Sequence, residues 1–497
     1  MKAFSPHMGR RSISDLRRPS PTGSAAVRLA LAGATVALAI LSLKGLWPGY
    51  AFYDTVGQFR QALSGEYDDW HPPIMARLWT LLHSQFGGAG GPMLALQLGL
   101  YWLGFGLVAE ALAATRRWAS AIAVLLLAAS PLLVGWQGAI LKDAQMLGAL
   151  LAGFGIVAAY RLRDRRIPLL ATLIVAILFG YALLVRANAL FAVVPLVVFL
   201  APRPAGFVAK LLLIVLLSLG AIAAEPWINH RLLHARLTGV EKTQPLYDLA
   251  AIGIANPIGS PFTPAELATF RSKDCVKAYF WDPLGDEIAC GSQVSRLQKG
   301  IAAAQLYRQW MQQIIAHPAS YFRHRLNHWN STTRWLTPPG RIGAEPPANS
   351  ELNDLGLAEP NSLIAKQIQY AGAIESGTPL GWPILWFAVA ILTAPLAWSR
   401  RNDPAAHLTV ALCLSSIGLE ASFFVVSIAS DLRYHLWSMT ASALALIFVV
   451  DGTPAIRGRV IAAVLVLAAI IAAGAYSRHN LPIAPATYRA MVDSRTG

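Results

Sequence analysis

The sequence predicts an all-α polytopic membrane protein with a mainly helical domain outside the bilayer. Three observations carry this expectation. Of the 497 residues, 55% are hydrophobic and 13% charged, where soluble domains carry about 25% charged residues. Mean hydropathy is +0.48. Apolar stretches of span length recur along the chain, broken by one long polar segment over 227–380. A span needs about 20 mostly apolar residues. Eleven candidates fit, at 25–47, 92–113, 119–135, 143–160, 167–184, 188–201, 209–226, 381–398, 405–428, 434–450 and 460–476.

Basic residues set the orientation. The tail 1–24 holds Lys2, Arg10, Arg11, Arg17 and Arg18 among Ser and Pro, a composition that favours disorder. A cleaved signal peptide is the rival reading, with Gly49 and Ala51 as a weak cleavage site, but the apolar stretch exceeds a typical h-region. With the N-terminus cytoplasmic, the inner turns hold Arg116 and Arg117, Arg161 to Arg166, Arg203 and Lys210, Arg400 and Arg401, and Arg457 and Arg459. Every short inner turn is then basic, as the positive-inside rule requires. The net charge of +15 thus serves topology, which argues against nucleic-acid binding. The expected organisation is a tail (1–24), a membrane module (25–226) with a first outer loop (48–91), an outer domain (227–380), a second membrane module (381–476) and an outer tail (477–497). The two halves show no internal repeat and no symmetric pair of broken helices, the sign of many transporters.

The remaining charges gather on the outer side. Asp54, Asp68, Asp69 and His71 lie in the first outer loop, Lys142 and Asp143 at the second outer turn, Arg186 at the third, and Asp431 and Arg433 at a later one. In the first loop, Val56, Phe59 and Leu63 recur at helical spacing and Gly65 can end the helix, which predicts a short amphipathic surface helix. Asp54 either caps it or presents a catalytic carboxylate. Pro72 and Pro73 start a second surface helix reaching Phe86, which leaves His71 extended. His71 and Asp69 either form a rigid break or flank a substrate. Asp143 is a cap or a site carboxylate, and Lys142, Arg186 and Arg433 either snorkel or hold a phosphate. Glu420, deep in its span, is expected to make a structural pairing with a buried Arg or a neighbouring helix.

In the polar segment, Cys275 and Cys290 form a disulfide candidate if that loop faces an oxidising space, and Cys413 is packing. Leu306, Trp310, Ile314 and Ile315 predict helix over 300–330. His324 and His328 are spaced for a metal on one helix face, but the surrounding Arg323 and Arg325 favour a basic helix against anionic headgroups. Pro, Gly and Asn make 337–360 irregular.

The order of these features resembles the GT-C superfamily of membrane glycosyltransferases. The local texts "DTVGQF", "DWHPP", "LKDAQ", "VRANALF" and "SDLRYHLW" are similar to a bacterial branch related to the protein mannosyltransferase and aminoarabinose transferase group. The resemblance covers about 26–450 and implies a fold with about eleven transmembrane helices in the bacterial cytoplasmic membrane. It implies transfer of a sugar from a polyprenyl-phosphate donor to a glycan, lipid or protein of the envelope. Asp54 and Asp143 would be catalytic, with Gln58, Asp69, His71, Lys142, Arg186, Asn188 and Arg433 binding substrate. The outer domain would cap the pocket and select the acceptor. Two acid pairs common in the family are absent here, since Thr55 follows Asp54 and Lys142 precedes Asp143. A divalent cation is therefore left open. No Gly-rich phosphate loop in a strand–helix setting is present, which argues against a nucleotide. The rivals are a transporter or lipid flippase, a polysaccharide polymerase or ligase, and a non-catalytic assembly factor.

Overall fold

A computed structural model describes residues 21–201, 206–286, 289–452 and 457–493. The predicted tail residues Lys2 to Arg18, Arg203, and the side chains of Arg457 and Arg459 lie outside what is described. Among the described residues the chain is helical, with three isolated bridges instead of a sheet.

From the N-terminus, α1 (Pro21–Leu46) leads into two shorter helices, α2 (Tyr53–Ser64) and α3 (Pro73–Phe86). Next come α4 (Gly91–Ala114), α5 (Trp118–Ala128), α6 (Pro131–Gln137), α7 (Lys142–Arg161), α8 (Leu169–Val185), α9 (Leu190–Leu200) and α10 (Phe207–Pro226). The polar segment holds α11 (Thr243–Ala255), α12 (Pro264–Ser272), α13 (Asp282–Gly285), α14 (Gly291–Gly300), α15 (Ala303–Ala316), α16 (Pro318–Thr332) and α17 (Leu363–Gly377). The chain ends with α18 (Pro383–Trp398), α19 (Pro404–Ser422), α20 (Leu436–Gly452), α21 (Arg457–Asn480) and α22 (Tyr488–Asp493).

Each of the eleven predicted apolar segments is helical over most of its length, and the chain has the makeup of a multi-pass membrane protein. Among the described residues, seven helices are long and apolar enough to cross a membrane: α1, α4, α7, α10, α19, α20 and α21. The pair α5–α6 adds an eighth if its bend is part of one span, and α8, α9 and α18 are shorter. α1, α10 and α21 expose most of their apolar surface, as lipid-facing helices do. α4 and α7 pack through glycines. A Cβ on Gly155 would stand 2.6 Å from the Gly104 carbonyl oxygen, so the backbones meet directly, as small residues allow between membrane helices.

Two predicted spans differ in form. The segment 119–135 is two helices meeting at 52°. The first ends at Ala128, Ser130 caps the second by accepting from the Leu133 amide, and Pro131 opens it at a position where its missing N–H costs nothing. Glu375 of α17 holds this break, accepting from the Ser130 hydroxyl at 2.8 Å and the Leu132 amide at 3.0 Å. The segment 405–428 is helical only to Ser422. The turn after it is gripped by Arg325 of α16, which donates to the carbonyls of Phe423, Phe424 and Ser427 at 3.1, 2.8 and 3.0 Å. Arg325 and His328 are fully buried. This corrects the expectation that α16 rests its basic face on headgroups.

The helices over 243–332 enclose a second core of Leu246, Tyr247, Phe270, Trp281, Leu284 and Leu306. The disulfide between Cys275 and Cys290 lies in it, spanning 15 residues. Cross-linking a loop of that length stabilises by about 3 kcal/mol. Replacing both cysteines with serine is expected to lower the denaturation midpoint of this unit accordingly. Loss of tryptophan fluorescence in reducing and non-reducing buffer measures it, and identical midpoints would contradict it. The segment 337–362 is irregular, in line with its composition. The C-terminal residues Met491 and Val492 pack on Tyr279 and Phe280.

Candidate functional site

Backbone ties bring the first loop to the start of α7. The Tyr50 amide donates to Gly138 O at 2.8 Å, and the Ile140 amide donates to Tyr50 O at 3.0 Å. Helix α2 buries Val56, Phe59 and Ala62 and ends at Gly65, whose φ of 72° is left-handed, a conformation glycine adopts without strain. Leu63, expected on the buried face, is exposed. The capping role considered for Asp54 belongs to Thr55: its hydroxyl accepts from the Phe52 amide at 2.9 Å and donates to Ile140 O at 2.7 Å. The Asp54 carboxylate is left to face a cluster of charges.

That cluster is assembled from four chain segments. Lys142 and Asp143 occupy the first turn of α7, where neither makes a side-chain cap bond. Arg186 follows α8 in extended conformation. Arg433 sits in the turn before α20. Arg433 Nη1 stands 3.2 Å from Asp54 Oδ2, and its Nε stands 3.0 Å from Asp431 Oδ2 and 3.8 Å from Asp143 Oδ2. Arg186 pairs with Asp143 through Nη1 and donates from Nε to Asn188 Oδ1 at 2.6 Å. Its guanidinium lies 4.1 Å from the Tyr434 ring centroid, an arrangement that suits a desolvated cation. Lys142 Nζ stands 3.6 Å from Asp54 Oδ2 and 2.8 Å from His71 Nδ1.

The lysine contact assigns the His71 tautomer. An ammonium donor needs an acceptor, so Nδ1 carries the lone pair and the ring proton sits on Nε2, 3.6 Å from Asp54 Oδ1. Burial first, and then Lys142, Arg433 and Arg186, push the His71 pKa down to about 3 against the pull of Asp54. Burial opposes ionisation of Asp54, yet Arg433 and Lys142 foremost hold its carboxyl well below the usual range. A histidine that stays neutral when folded makes the unfolded state bind more protons below pH 6.5, so its stabilising contribution is full above that pH. It is lost at about 1.4 kcal/mol per pH unit as pH falls from 6.5 toward 3. His71→Gln is therefore expected to flatten the decline in thermal stability between pH 7.5 and 5.5. Parallel pH profiles for the two proteins would contradict this.

Of the predicted site residues, Asp54, His71, Lys142, Asp143, Arg186, Asn188 and Arg433 come together. Gln58 is buried one turn after Asp54. Its Oε1 and Asp143 Oδ2 accept no hydrogen bond among the described residues, a condition that in a native fold calls for an explanation. Asp69 does not join them. It accepts from the Thr238 amide and hydroxyl at 2.7 and 2.6 Å and lies 3.6 Å from His230 Nε2, so it anchors the chain after α10. The sequence places Asp431 among the outer-side charges without a role and does not single out Tyr434; the fold brings both against Arg433.

Other ionisable groups have structural partners. Glu420 accepts from His435 Nδ1 at 2.8 Å and from the Ser438 hydroxyl, so its partners are on the neighbouring helix start and not an arginine. His328 bonds Ala278 O and Ser427 Oγ at 2.8 and 2.9 Å, while His324 faces Asp248 at 3.2 Å. The two rings use different partners, which does not suit a shared metal. The Asp54 cluster does not suit a divalent cation either, because each of its carboxylates already faces a guanidinium or ammonium that would repel one. Lys142, Arg186 and Arg433 gather at the N-terminus of the 20-residue α7, a donor set of the kind an anion takes, and each of them is paired with a carboxylate here.

Comparison with family models, with curated proteins and with solved structures finds no match for this chain.

Proposed function

We propose that the chain is a GT-C-like membrane glycosyltransferase that moves a sugar from a polyprenyl-phosphate donor to a cell-envelope acceptor. The observation that carries this reading is the Asp54–Lys142–Arg433 contact, in which one carboxylate is held by the cations that a phosphate would take. The convergence of Arg186 on the same point supports it. The site then lies on the outer face of the cytoplasmic membrane, in line with the basic turns at the opposite helix ends and with the disulfide of the 243–332 unit, since disulfides persist in oxidising compartments.

In this reaction the donor phosphate diester displaces Asp54 from Lys142 and Arg433. The freed carboxylate loses its neutralising partners and becomes a stronger base. It accepts the proton of the acceptor hydroxyl, whose oxygen forms a bond to the anomeric carbon from the face opposite the phosphate. The bond from that carbon to the phosphate oxygen breaks, and its electron pair stays on the polyprenyl phosphate. The leaving group gains one negative charge, which Lys142, Arg186 and Arg433 stabilise in place. Asp143 and Asn188 hold Arg186 in position, and Asp431 does the same for Arg433. His71, neutral and donating from Nε2, orients the carboxylate or a sugar hydroxyl. The product has inverted configuration at the anomeric carbon.

Mass spectrometry of envelope glycans and lipids from a deletion strain tests this reading. The expected result is loss of one sugar from one surface component, restored by the wild-type chain and not by Asp54→Asn. An unchanged glycan and lipid profile would contradict it.

A further inference from the structure

A second site lies at the other end of the membrane helices. α7 carries Lys142 at its start and Arg161 at its end, so the two ends lie about 28 Å apart at 1.5 Å per residue. Near Arg161, α8 and α10 flank a groove of about 1520 Å³ whose floor is α9. That exceeds the roughly 300–1,000 Å³ of pockets for small soluble ligands. Its wall is apolar, with Val175, Phe179 and Leu183 from α8, Val197 from α9 and Leu217 from α10. From Thr172 to Leu183 this wall runs about 16 Å along α8, half of a hydrocarbon core about 30 Å thick. Its depth is that of one leaflet.

The mouth of the groove is basic. Arg161, Arg165, Arg166, Lys210 and Arg401 line it with one acid, Asp164. None of these five cations has an acidic partner within 4.0 Å among the described residues, whereas nearby Arg163 and Arg28 both pair with Glu110. Lys210 Nζ lies 4.6 Å from the Phe199 ring centroid and Arg401 Cζ lies 5.0 Å from that of Trp398, so both charged heads sit against aromatic rings rather than carboxylates. Unneutralised cations above a leaflet-deep apolar slot match an anionic headgroup joined to acyl chains.

We propose that this groove binds one anionic glycerophospholipid from the leaflet at the basic end, with its phosphate on Arg165, Arg166 and Lys210 and its chains along α8 and α9. The site is separate from the Asp54 cluster and does not depend on the proposed transfer reaction.

Native mass spectrometry of the delipidated full-length protein in detergent tests the proposal, with dioleoyl phosphatidylglycerol, dioleoyl phosphatidylcholine and a polyprenyl monophosphate as probes. Phosphatidylglycerol is expected to be retained at one copy and in preference to both others. The triple variant Arg165→Gln, Arg166→Gln, Lys210→Gln is expected to weaken it on the order of 100-fold, at about fivefold for each cation near the lipid surface. Gly180 has open space beside it in the groove, so Gly180→Trp should expel the lipid with every charge intact. This variant decides the matter if the triple variant does not fold. Equal retention of phosphatidylcholine, preference for the polyprenyl phosphate, or undiminished binding by Gly180→Trp would overturn the proposal.

Discussion

Asp54→Asn is expected to lower sugar transfer by the reconstituted protein about 100- to 10,000-fold, the range typical for loss of a general base. The defect should fall on kcat. Removing the carboxylate leaves Lys142 and Arg433 free for the donor phosphate, so the KM for donor should stay the same or drop. A merely structural Asp54 would behave differently, because losing the partner of two largely buried cations would reduce the amount of folded protein and raise KM. Steady-state kinetics on protein matched for monodisperse yield separates the two cases. A variant with wild-type kcat would remove Asp54 from the chemistry.

Arg433→Gln is expected to have the largest effect on the fold and an equally severe effect on turnover. Its guanidinium is 9% exposed and faces Asp54, Asp431 and Asp143. Removing one partner from a buried charge network costs about 3–5 kcal/mol, because the remaining charges stay buried without compensation. Loss of a transition-state donor adds about a 100- to 1,000-fold drop in kcat. Arg433→Lys should rescue little, since a single ammonium cannot serve three carboxylates as a planar fork does. Thermal unfolding in detergent alongside single-turnover transfer measures both parts. Full activity in the lysine variant would show that charge alone suffices and that the fork geometry has no role.

The helical makeup and the core of the site were legible because both follow from local signals. The spacing of Val56 and Phe59, the stop at Gly65 and the Pro72–Pro73 restart give α2 and α3 almost to the residue. The alternation of basic and mixed-charge turns puts Asp54, Lys142, Arg186 and Arg433 at one end of the helices before any contact is known. What failed depended on tertiary partners. Asp69 and Asp431 look alike in sequence, each two residues from a site residue, and only the fold sends one to Thr238 and the other to Arg433. Arg325 sits in a basic helix that reads as surface, because its carbonyl partners lie about 100 residues further on. The break at Ser130 leaves hydropathy almost unchanged, so an apolar count alone passes over it.

The most direct test of the central claim is a transfer assay in proteoliposomes, with a polyprenyl-phosphate sugar labelled in both the sugar and the lipid. The account predicts that sugar and lipid labels separate, that free polyprenyl phosphate accumulates in step with glycosylated acceptor, and that Asp54→Asn abolishes both. Movement of the intact glycolipid between leaflets without separation of the labels would contradict it and point to a transporter.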